Sequence, residues 1–356
     1  MNKTRLKVGT DFSGIGAPEM ALNNLGIEYN QVFSCEIDKH ARKSYDAIHK
    51  APGKFYIDIT KRNHSEIDQL DLYVAGFPCQ AFSLAGQRKG FDDVRGTLFF
   101  EVANFIKINQ PKMFVLENVR GLLSHDNGRT YQTIIDILTN GGGTLNSQMS
   151  LDVFDDGLGY HCYAQVMNTK HYGIPQNRER IFIVGFKEFR KFSFPKKQSL
   201  NLKLKDMLQD SVEEKYCLSD KSINSLLFGE NNIKNAIQVK SGTSYGYEIA
   251  KEGDSISIVQ QSKTRRGRVG KQVAQTISTS CNQGILKYAK EIEQSINQDD
   301  NFMIRRLTPL ECFRLQAFPD DAFFEAQKVC SDTQLYKQAG NSISVNVLEK
   351  LFKQML

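Results

Sequence analysis

The first 36 residues contain the pattern that most restricts the fold: a strand, a glycine-rich turn, a helix, a second strand and an acid. An apolar run over residues 6–11 predicts the first strand, and Gly14 and Gly16 in the turn after it allow a sharp bend. A second strand, over residues 31–35, is followed by Glu36, which lies 20 residues after Gly16. This order is typical of nucleotide-binding α/β folds, in which the acid holds ribose hydroxyls.

The usual dinucleotide pattern has a third glycine, and Glu19 occupies its position in this chain. An acid at the start of a helix is unfavourable for a pyrophosphate, which binds to helix N-termini. The turn therefore favours a cofactor that contains adenosine but no phosphates. The alternative is a glycine turn without a ligand.

Cys79 follows an apolar run over residues 72–75 that predicts a short buried strand. Open α/β sheets bind their ligands at such strand ends, and Pro78 stiffens the turn that carries the cysteine. We interpret Cys79 as a nucleophile. The alternative is a structural cysteine, because free cysteines are among the most buried residues.

Two further predicted strands are followed by carboxylates. The strand over residues 55–57 is expected to end at Asp58 and Ile59, and the strand over residues 113–116 is expected to end at residues 117–119, which begin with Glu117. Strand ends of one α/β sheet share an edge, so we expect these acids and Glu36 to form a site. Asp58 suits an adenine amino group, although a helix N-cap is a frequent role for aspartate.

Two segments are rich in basic residues. Arg178 and Arg180 precede a predicted strand over residues 181–185, and their i, i+2 spacing in an extended segment predicts that they point to the same face. Arginine suits carboxylates, phosphates and base edges, and a surface charge cluster is the plainer interpretation. Residues 263–271 contain five basic residues and no acid, which predicts a phosphate-contacting loop or a solvated loop.

The composition changes after residue 186 and again near residue 305. Residues 1–186 predict a doubly wound α/β domain, and residues 187–304 a smaller, mostly β or irregular domain. We expect residues 305–356 to pack back on the first domain, beginning with a helix capped at Thr308. The last helix has apolar residues at helical spacing: Val345, Leu348, Phe352 and Met355.

The seven cysteines show no metal-binding spacing, which argues against a zinc site and against a disulfide framework. No apolar run approaches the roughly 18 residues of a membrane helix, and the start of the chain has no signal-peptide core. We therefore expect a cytoplasmic protein without a metal or a membrane partner. The net charge of +6 is only a weak indication of an anionic partner.

Eight motifs of the chain occur in the order of one known family. The chain resembles the DNA (cytosine-5) methyltransferases, particularly the compact bacterial enzymes of restriction–modification systems. The resemblance covers nearly the whole chain outside residues 187–304. The matching motifs are FSGIG, the acid in SCEID, GFPCQAFS, RGTLFF, ENV, QNRER, RRLTPLECFRLQAFPD and GNS.

The resemblance implies a Rossmann-like sheet, a target-recognition domain over residues 187–304, and S-adenosyl-L-methionine as methyl donor. This donor has an adenosine and no phosphate. It therefore agrees with the presence of Glu19 at the position where dinucleotide-binding folds have their third glycine. Glu36 would hold its ribose and Asp58 its adenine. Where the family often has an aromatic residue after the ribose acid, this chain has Ile37, so stacking would be weaker or supplied by Phe12. The other implied donor contacts are Ser13, Gly14, Ile15, Gly16, Ile59, Leu98, Asn341 and Ser342.

The implied reaction is methyl transfer to C5 of a cytosine that is flipped out of double-stranded DNA. Cys79 would attack C6 and form a covalent adduct, and Glu117 would bind N3 of the ring. Arg178 would help to orient Glu117 and the base, and Arg180 or the sulfonium of the donor would lower the pKa of the thiol. The implied DNA contacts are Ser83, Gln87, Arg95, Arg265, Arg266, Arg268, Lys271 and Thr276.

The resemblance also implies protection of DNA against a cognate restriction endonuclease. The sequence leaves three alternative functions to compare with this one. A tRNA cytosine-5 methyltransferase is a branch of the same family, and the GFPCQAFS motif favours DNA. A non-catalytic DNA-binding relative would lack some of the predicted catalytic residues. This chain has all of them: Cys79, Glu117, Arg178 and Arg180. A nicotinamide-dependent dehydrogenase is disfavoured by the incomplete glycine pattern and by Cys79.

Overall fold

The computed structural model describes residues 5–50, 53–78, 98–139, 157–229, 236–258, 269–288 and 302–356. The chain divides into two compact units. Unit 1 consists of Met1–Met167, Glu179–Lys196 and Val347–Leu356, and unit 2 of Asn168–Arg178 and Lys197–Asn346.

The strands of the described residues, in chain order, are β1 (Leu6–Asp11), β2 (Tyr29–Cys35), β3 (Lys54–Tyr56), β4 (Leu72–Ala75), β5 (Met113–Val119), β6 (His161–Asn168), β7 (Gln176–Asn177), β8 (Glu179–Phe186), β9 (Ala236–Lys240), β10 (Tyr247–Lys251), β11 (Ser255–Ser257), β12 (Val269–Gly270), β13 (Ala274–Gln275), β14 (Gln283–Tyr288) and β15 (Phe302–Arg306). The α-helices are α1 (Ala17–Asn24), α2 (Lys39–His49), α3 (Leu98–Asn109), α4 (Arg129–Leu138), α5 (Asp220–Leu226), α6 (Pro309–Leu315), α7 (Asp320–Gln327), α8 (Asp332–Asn341) and α9 (Val345–Met355).

Unit 1 is built on a seven-stranded sheet with the order β3-β2-β1-β4-β5-β8-β6. The first five strands of this order are parallel to their neighbours, and β8 is antiparallel to β5. The order reverses between β1 and β4, which is where open α/β sheets bind their ligands. This arrangement confirms the predicted Rossmann-like α/β core.

The core of unit 1 contains aromatic side chains between the sheet and α3. The ring of Phe105 on α3 lies 5.4 Å from that of Phe33 on β2 and 4.7 Å from that of Tyr73 on β4. All three residues are fully buried. Burial of each such side chain contributes roughly 1.5–3 kcal/mol, so this contact is a main attachment of α3 to the sheet.

Unit 2 contains a four-stranded sheet with the order β12-β11-β14-β15 and two two-stranded sheets, β10-β9 and β13-β7. Its apolar core includes Ile237, Val239, Ile256, Leu286 and Ile304. The predicted capping box of α6 is confirmed: Thr308 Oγ1 accepts from the Glu311 amide, and Glu311 Oε2 accepts from the Thr308 amide.

The boundaries of the two units differ from the domain boundaries expected from the sequence. Residues 187–196 belong to unit 1, and residues 305–346 belong to unit 2. Of the C-terminal segment, only Val347–Leu356 belongs to unit 1. The four apolar residues predicted for the last helix are fully buried. Across the described ranges, the structure contains no helix with the length and apolarity needed to span a bilayer.

Candidate active site

The parallel strands of unit 1 bring several predicted site residues to one edge of the sheet. Asp11, the last residue of β1, pairs in register with Cys35 of β2 and with Ala75 of β4. From these three positions the chain continues into the glycine turn, to Glu36 and to residues 76–78. This edge therefore carries the predicted ribose acid and the segment that leads to Cys79.

The carboxylate of Glu36 fastens the glycine turn. Its Oε2 accepts a hydrogen bond from the Gly14 amide at 2.9 Å, and its Oε1 accepts from the Asp38 amide at 2.8 Å. Each carboxylate oxygen has a second lone pair with which a ribose hydroxyl can bond. The turn requires glycine at Gly16, where φ is 80° and a Cβ would lie 2.1 Å from His49 Nε2.

The other residues of the turn have mainly structural contacts. Phe12 has a φ of 54°, a left-handed conformation that is rare for an aromatic residue. Ser13 Oγ accepts from the Cys35 amide at 3.0 Å, which ties the turn to the end of β2. The side chain of Ile15 is buried, and its carbonyl oxygen lies 2.9 Å from His49 Nε2. A ligand at this edge would therefore meet the backbone of Ile15 rather than its side chain.

Asp58 has the N-cap role that the sequence offered as its alternative. Its Oδ1 accepts from the amide of Thr60 at 3.0 Å and from the hydroxyl at 2.8 Å, at the start of a short 3-10 helix over Ile59–Lys61. The hydrogen bond from Thr60 lowers the pKa of Asp58 below its ordinary value. The cap uses Oδ1, and Lys61 Nζ lies 3.8 Å from Oδ2. The adenine role of Asp58 stays a prediction.

Two exposed apolar side chains flank the predicted adenosine acids. Ile37 follows Glu36 and is 70% exposed, and Ile57 precedes Asp58 and is 59% exposed. Isoleucines are seldom this exposed, since burial of one contributes roughly 1.5–3 kcal/mol. Ile57 was not among the predicted site residues, and Ile59, which was, is buried.

Glu117 and Arg180 form an ion pair on neighbouring strands. Arg180 Nε lies 3.1 Å from Glu117 Oε1, and the two side chains are largely buried. Glu117 lies inside β5, opposite Phe182 of β8, and the strand ends at Val119, within the residues 117–119 where the sequence predicted its end. Asn118, the next residue, donates from Nδ2 to the carbonyl oxygen of Phe77 at 2.9 Å. The ENV motif therefore carries an oriented acid and also holds the backbone two residues before Cys79.

Arg178 and Arg180 have different partners in the described part of the structure, and the prediction that they share a face stays a prediction. Arg178 belongs to unit 2, where its buried guanidinium donates to the carbonyl oxygens of Ile277, Gly340 and Ser342. These contacts are with backbone, so they support a positioning role within unit 2. Arg180 belongs to unit 1 and contacts Glu117.

The remaining described candidates have the following positions. Asn341 is the exposed last residue of α8, and Ser342 after it is buried. Leu98 begins α3 and packs against the core of unit 1. In unit 2, Lys271 Nζ lies 3.5 Å from Asp254 Oδ2, and the exposed Thr276 donates from Oγ1 to the carbonyl oxygen of Asn177.

Seven predicted site residues lie outside the described residues: Cys79, Ser83, Gln87, Arg95, Arg265, Arg266 and Arg268. Among the described cysteines, burial raises the pKa of Cys162 to about 12 and also raises the pKa of Cys35 and of Cys312. A thiol reacts as its thiolate, so these three cysteines are poor nucleophiles at neutral pH.

The sequence did not identify a buried charge cluster beneath the glycine turn. Arg62 pairs with Asp11 through two hydrogen bonds of 2.7 Å, and both side chains are fully buried. Tyr73 also donates to Asp11, at 2.7 Å. Arginine is rarely buried, and its partner lies 51 residues away in the chain, so no local pattern indicated this contact.

The sheet and its topology define a Rossmann-like α/β protein, and comparisons with known proteins define its family. A family model described as C-5 cytosine-specific DNA methylase matches residues 10–356. The type II methyltransferase M.DsaV of Dactylococcopsis salina is 35% identical, over 100% of this chain and 87% of its own. The orphan methyltransferase M.SPRI of Bacillus phage SPR is 32% identical, over 99% of this chain and 98% of its own. The chain therefore belongs to the C-5 cytosine-specific DNA methylase family.

A solved structure supports the same fold. The S. pombe Dnmt2 methyltransferase superposes with a TM-score of 0.64, covering 98% of this chain and 97% of its own. The sequence identity in this comparison is 16%, so it concerns the fold alone.

Proposed function

We propose that the chain is a site-specific DNA methyltransferase that transfers a methyl group from S-adenosyl-L-methionine to C5 of cytosine. The main support is that one edge of one sheet carries both the Glu36-bound glycine turn and the oriented Glu117–Arg180 pair. A donor site after β1 and β2 and a site for the base at β5 and β8 would thus share one edge of the sheet of unit 1, with β4 between them. The family membership and the type II methyltransferases among the relatives favour DNA as substrate.

The residues of this edge fit S-adenosyl-L-methionine. Glu36 provides a carboxylate for ribose hydroxyls, and the exposed Ile37 and Ile57 provide apolar surface for an adenine. Glu19 is buried in the first turn of α1, where its charge opposes a phosphate group. When bound, the donor supplies an electrophilic methyl group on a sulfonium.

In the proposed reaction, Cys79 is the nucleophile. Its thiolate forms a bond to C6 of the cytosine, and the electron pair of the C5–C6 double bond makes C5 nucleophilic. After methylation a proton leaves C5, the electron pair re-forms the double bond, and the sulfur departs. Covalent catalysis thus replaces one difficult step with several easier ones.

Glu117 and its neighbours would bind the cytosine ring. Glu117 is largely shielded from water and is oriented by Arg180, which suits a hydrogen bond to N3. The guanidinium of Arg180 would also favour the thiolate of Cys79 if the bound base brings the two groups to the same ring. Asn118 holds the carbonyl of Phe77, and so would help to keep Cys79 at the strand end. A cytosine inside a duplex is out of reach, so the base would have to be flipped out.

We further propose that unit 2 reads the DNA sequence and that methylation protects DNA from a cognate restriction endonuclease. The basic segment over residues 263–271 supports phosphate contacts. The type II relatives support the protective role, whereas the phage relative is described as an orphan methyltransferase.

The test is expression in a host without DNA methylation, followed by bisulfite sequencing of its DNA and tRNA. The proposal expects cytosines of one short DNA motif to resist conversion. A Cys79→Ser variant should abolish this protection, and Cys162→Ser, the matched control, should keep it. If the protein folds and binds the donor but no cytosine of the host DNA resists conversion, the proposal is overturned. If cytosines of the tRNA resist conversion instead, the substrate is tRNA and not DNA.

A further inference from the structure

The buried pair of Arg62 and Asp11 joins two parts of the proposed donor site. Arg62 Nη1 and Nη2 each donate to a different oxygen of Asp11 at 2.7 Å, and neither side chain is exposed. Asp11 is the residue before Phe12, at the start of the glycine turn. Arg62 directly follows the 3-10 helix over Ile59–Lys61, which Asp58 caps.

The pair joins segments that follow β3 and β1, and β2 lies between these two strands. In the sheet order β3-β2-β1, the glycine turn follows β1 and the Asp58 segment follows β3, so β2 separates them. Two strand spacings amount to roughly 10 Å, too far for most side chains to bridge. The long side chain of Arg62 covers this span, with its guanidinium carbon 4.3 Å from the ring centre of Phe33 on β2.

The surroundings of the guanidinium fix its position. The ring centre of Phe105 on α3 lies 4.7 Å from the guanidinium carbon, and Tyr73 on β4 donates to Asp11 Oδ2. Arg62 Nε is 3.4 Å from His64 Nδ1. The guanidinium therefore packs against the rings of Phe33 and Phe105, whose centres are 5.4 Å apart, and its hydrogen bonds to Asp11 and His64 fix its orientation.

Stability alone does not explain this pair. The desolvation of two buried charges offsets much of their attraction, and apolar residues of similar volume often stabilise a protein equally well. A bidentate arginine–carboxylate contact provides instead a defined distance and angle between two backbone segments. The segments joined here carry the glycine turn on one side and Asp58 on the other.

We propose that Arg62 is a positioning residue for the methyl donor, because it sets the distance between the glycine turn and the Asp58 segment. This inference rests on the proposed function. Arg62 lies beneath the site and does not touch the donor. Without Arg62, the glycine turn and the Asp58 segment would move relative to each other, and both are proposed to contact the methyl donor. Donor binding would therefore weaken, while Glu117 and Arg180 would keep their arrangement.

The test measures binding of S-adenosyl-L-methionine to the full chain by calorimetry, together with the melting temperature. Arg62→Lys keeps the charge and removes the bidentate geometry. We expect its Kd to rise about tenfold or more, since small displacements of binding groups have large effects. We expect the KM for the donor to rise with it, and kcat at saturating donor to stay within about twofold.

Two further variants separate positioning from stability. Arg305→Lys is the matched control, because Arg305 forms an equally buried bidentate pair with Glu311 in unit 2. It should lower the melting temperature and leave the donor Kd unchanged. The triple variant D11L/R62M/Y73F removes both charges of the pair and the hydroxyl that donates to Asp11, so that no buried charge is left without a partner. It should regain much of the stability that Arg62→Met alone loses, without regaining donor affinity.

An Arg62→Lys protein with the wild-type donor Kd would overturn the inference. So would a rise in Kd that the Arg305→Lys control shows equally, because the effect would then be one of general stability. The proposed function fails in a different way: the wild-type chain would show no binding of S-adenosyl-L-methionine. If the triple variant does not fold, the Arg62→Lys and Arg305→Lys measurements still decide.

Discussion

Glu36→Gln tests whether the glycine turn and the ribose acid work as one unit. The two oxygens of Glu36 accept from the amides of Gly14 and Asp38, at 2.9 and 2.8 Å. A glutamine has the same shape but only one acceptor oxygen, so one of these amides must face an NH2 group. The variant therefore loses one hydrogen bond to a charged acceptor, as well as the charge itself.

The hydrogen bond from the backbone amide exists with and without the donor, so the effect on donor affinity comes from the hydrogen bond that a ribose hydroxyl would donate to the charged Glu36 carboxylate, which glutamine makes neutral. A hydrogen bond to a charged group contributes roughly 1.5–3 kcal/mol, and Glu36 is only partly buried, which favours the lower end. A loss of about 1.5 kcal/mol corresponds to roughly tenfold in affinity. We therefore expect the donor Kd of Glu36→Gln to rise about tenfold, and that of Glu36→Ala to rise further.

The assay is calorimetry with S-adenosyl-L-methionine, beside fluorescence anisotropy with a DNA duplex. DNA affinity should stay near the wild-type value, since the change affects the donor side of the sheet edge. The control is Glu28→Gln, which removes an exposed acid paired with Arg5 in the same unit and should change neither affinity. Equal weakening of donor and DNA binding, or an unchanged donor Kd, would refute the assignment of Glu36.

Three more predictions follow from the site. Cys79→Ser should abolish turnover and leave the donor Kd within about twofold, because only the nucleophile changes; loss of donor binding would contradict its role. Asn118→Ala removes the hydrogen bond to Phe77 and leaves a buried carbonyl unpaired, at a cost of about 1–3 kcal/mol. Its kcat should fall roughly 5- to 150-fold with donor affinity unchanged, and an unchanged kcat would dismiss the anchoring role. Asp58 has a lowered pKa, so its contribution to stability is complete above its unfolded pKa of about 3.9 and is lost as the pH falls through its folded pKa. Thermal melts from pH 5 to pH 2 should therefore show a smaller loss for Asp58→Asn than for the wild type, and equal losses would count against the cap.

Local sequence patterns were sufficient for much of the sheet. The bounds of β1 and β4 agree with the predicted residues 6–11 and 72–75, because each is a short apolar run with a clear end. The strand predicted from the apolar run over residues 113–116, with its end at residues 117–119, extends through Val119 in the structure. Residues 117–119 are held in β5 by pairing with β8, which lies more than 60 residues further along the chain. A pairing of that range leaves no local signal.

The charged residues show the same limit. The spacing of Arg178 and Arg180 gave no sign that Arg178 bonds to the carbonyl oxygens of Ile277 and Ser342, which lie 99 and 164 residues further along the chain. The pair of Arg62 and Asp11 had no pattern at all, since each residue alone would be expected at the surface. Motifs therefore indicated the residues that would meet ligands, whereas the residues that hold those motifs in place required the three-dimensional structure.

The central claim is that Cys79 forms a covalent bond with the target cytosine. The most direct measurement uses a duplex with the motif found by bisulfite sequencing, in which 5-fluorocytosine replaces the target cytosine. After methyl transfer the fluorinated carbon has no proton to lose, so the adduct should persist. We predict a donor-dependent protein–DNA complex whose digestion yields one modified peptide, with the nucleotide on Cys79. A stable complex with the nucleotide on another residue, or active enzyme that forms no complex, would contradict the account.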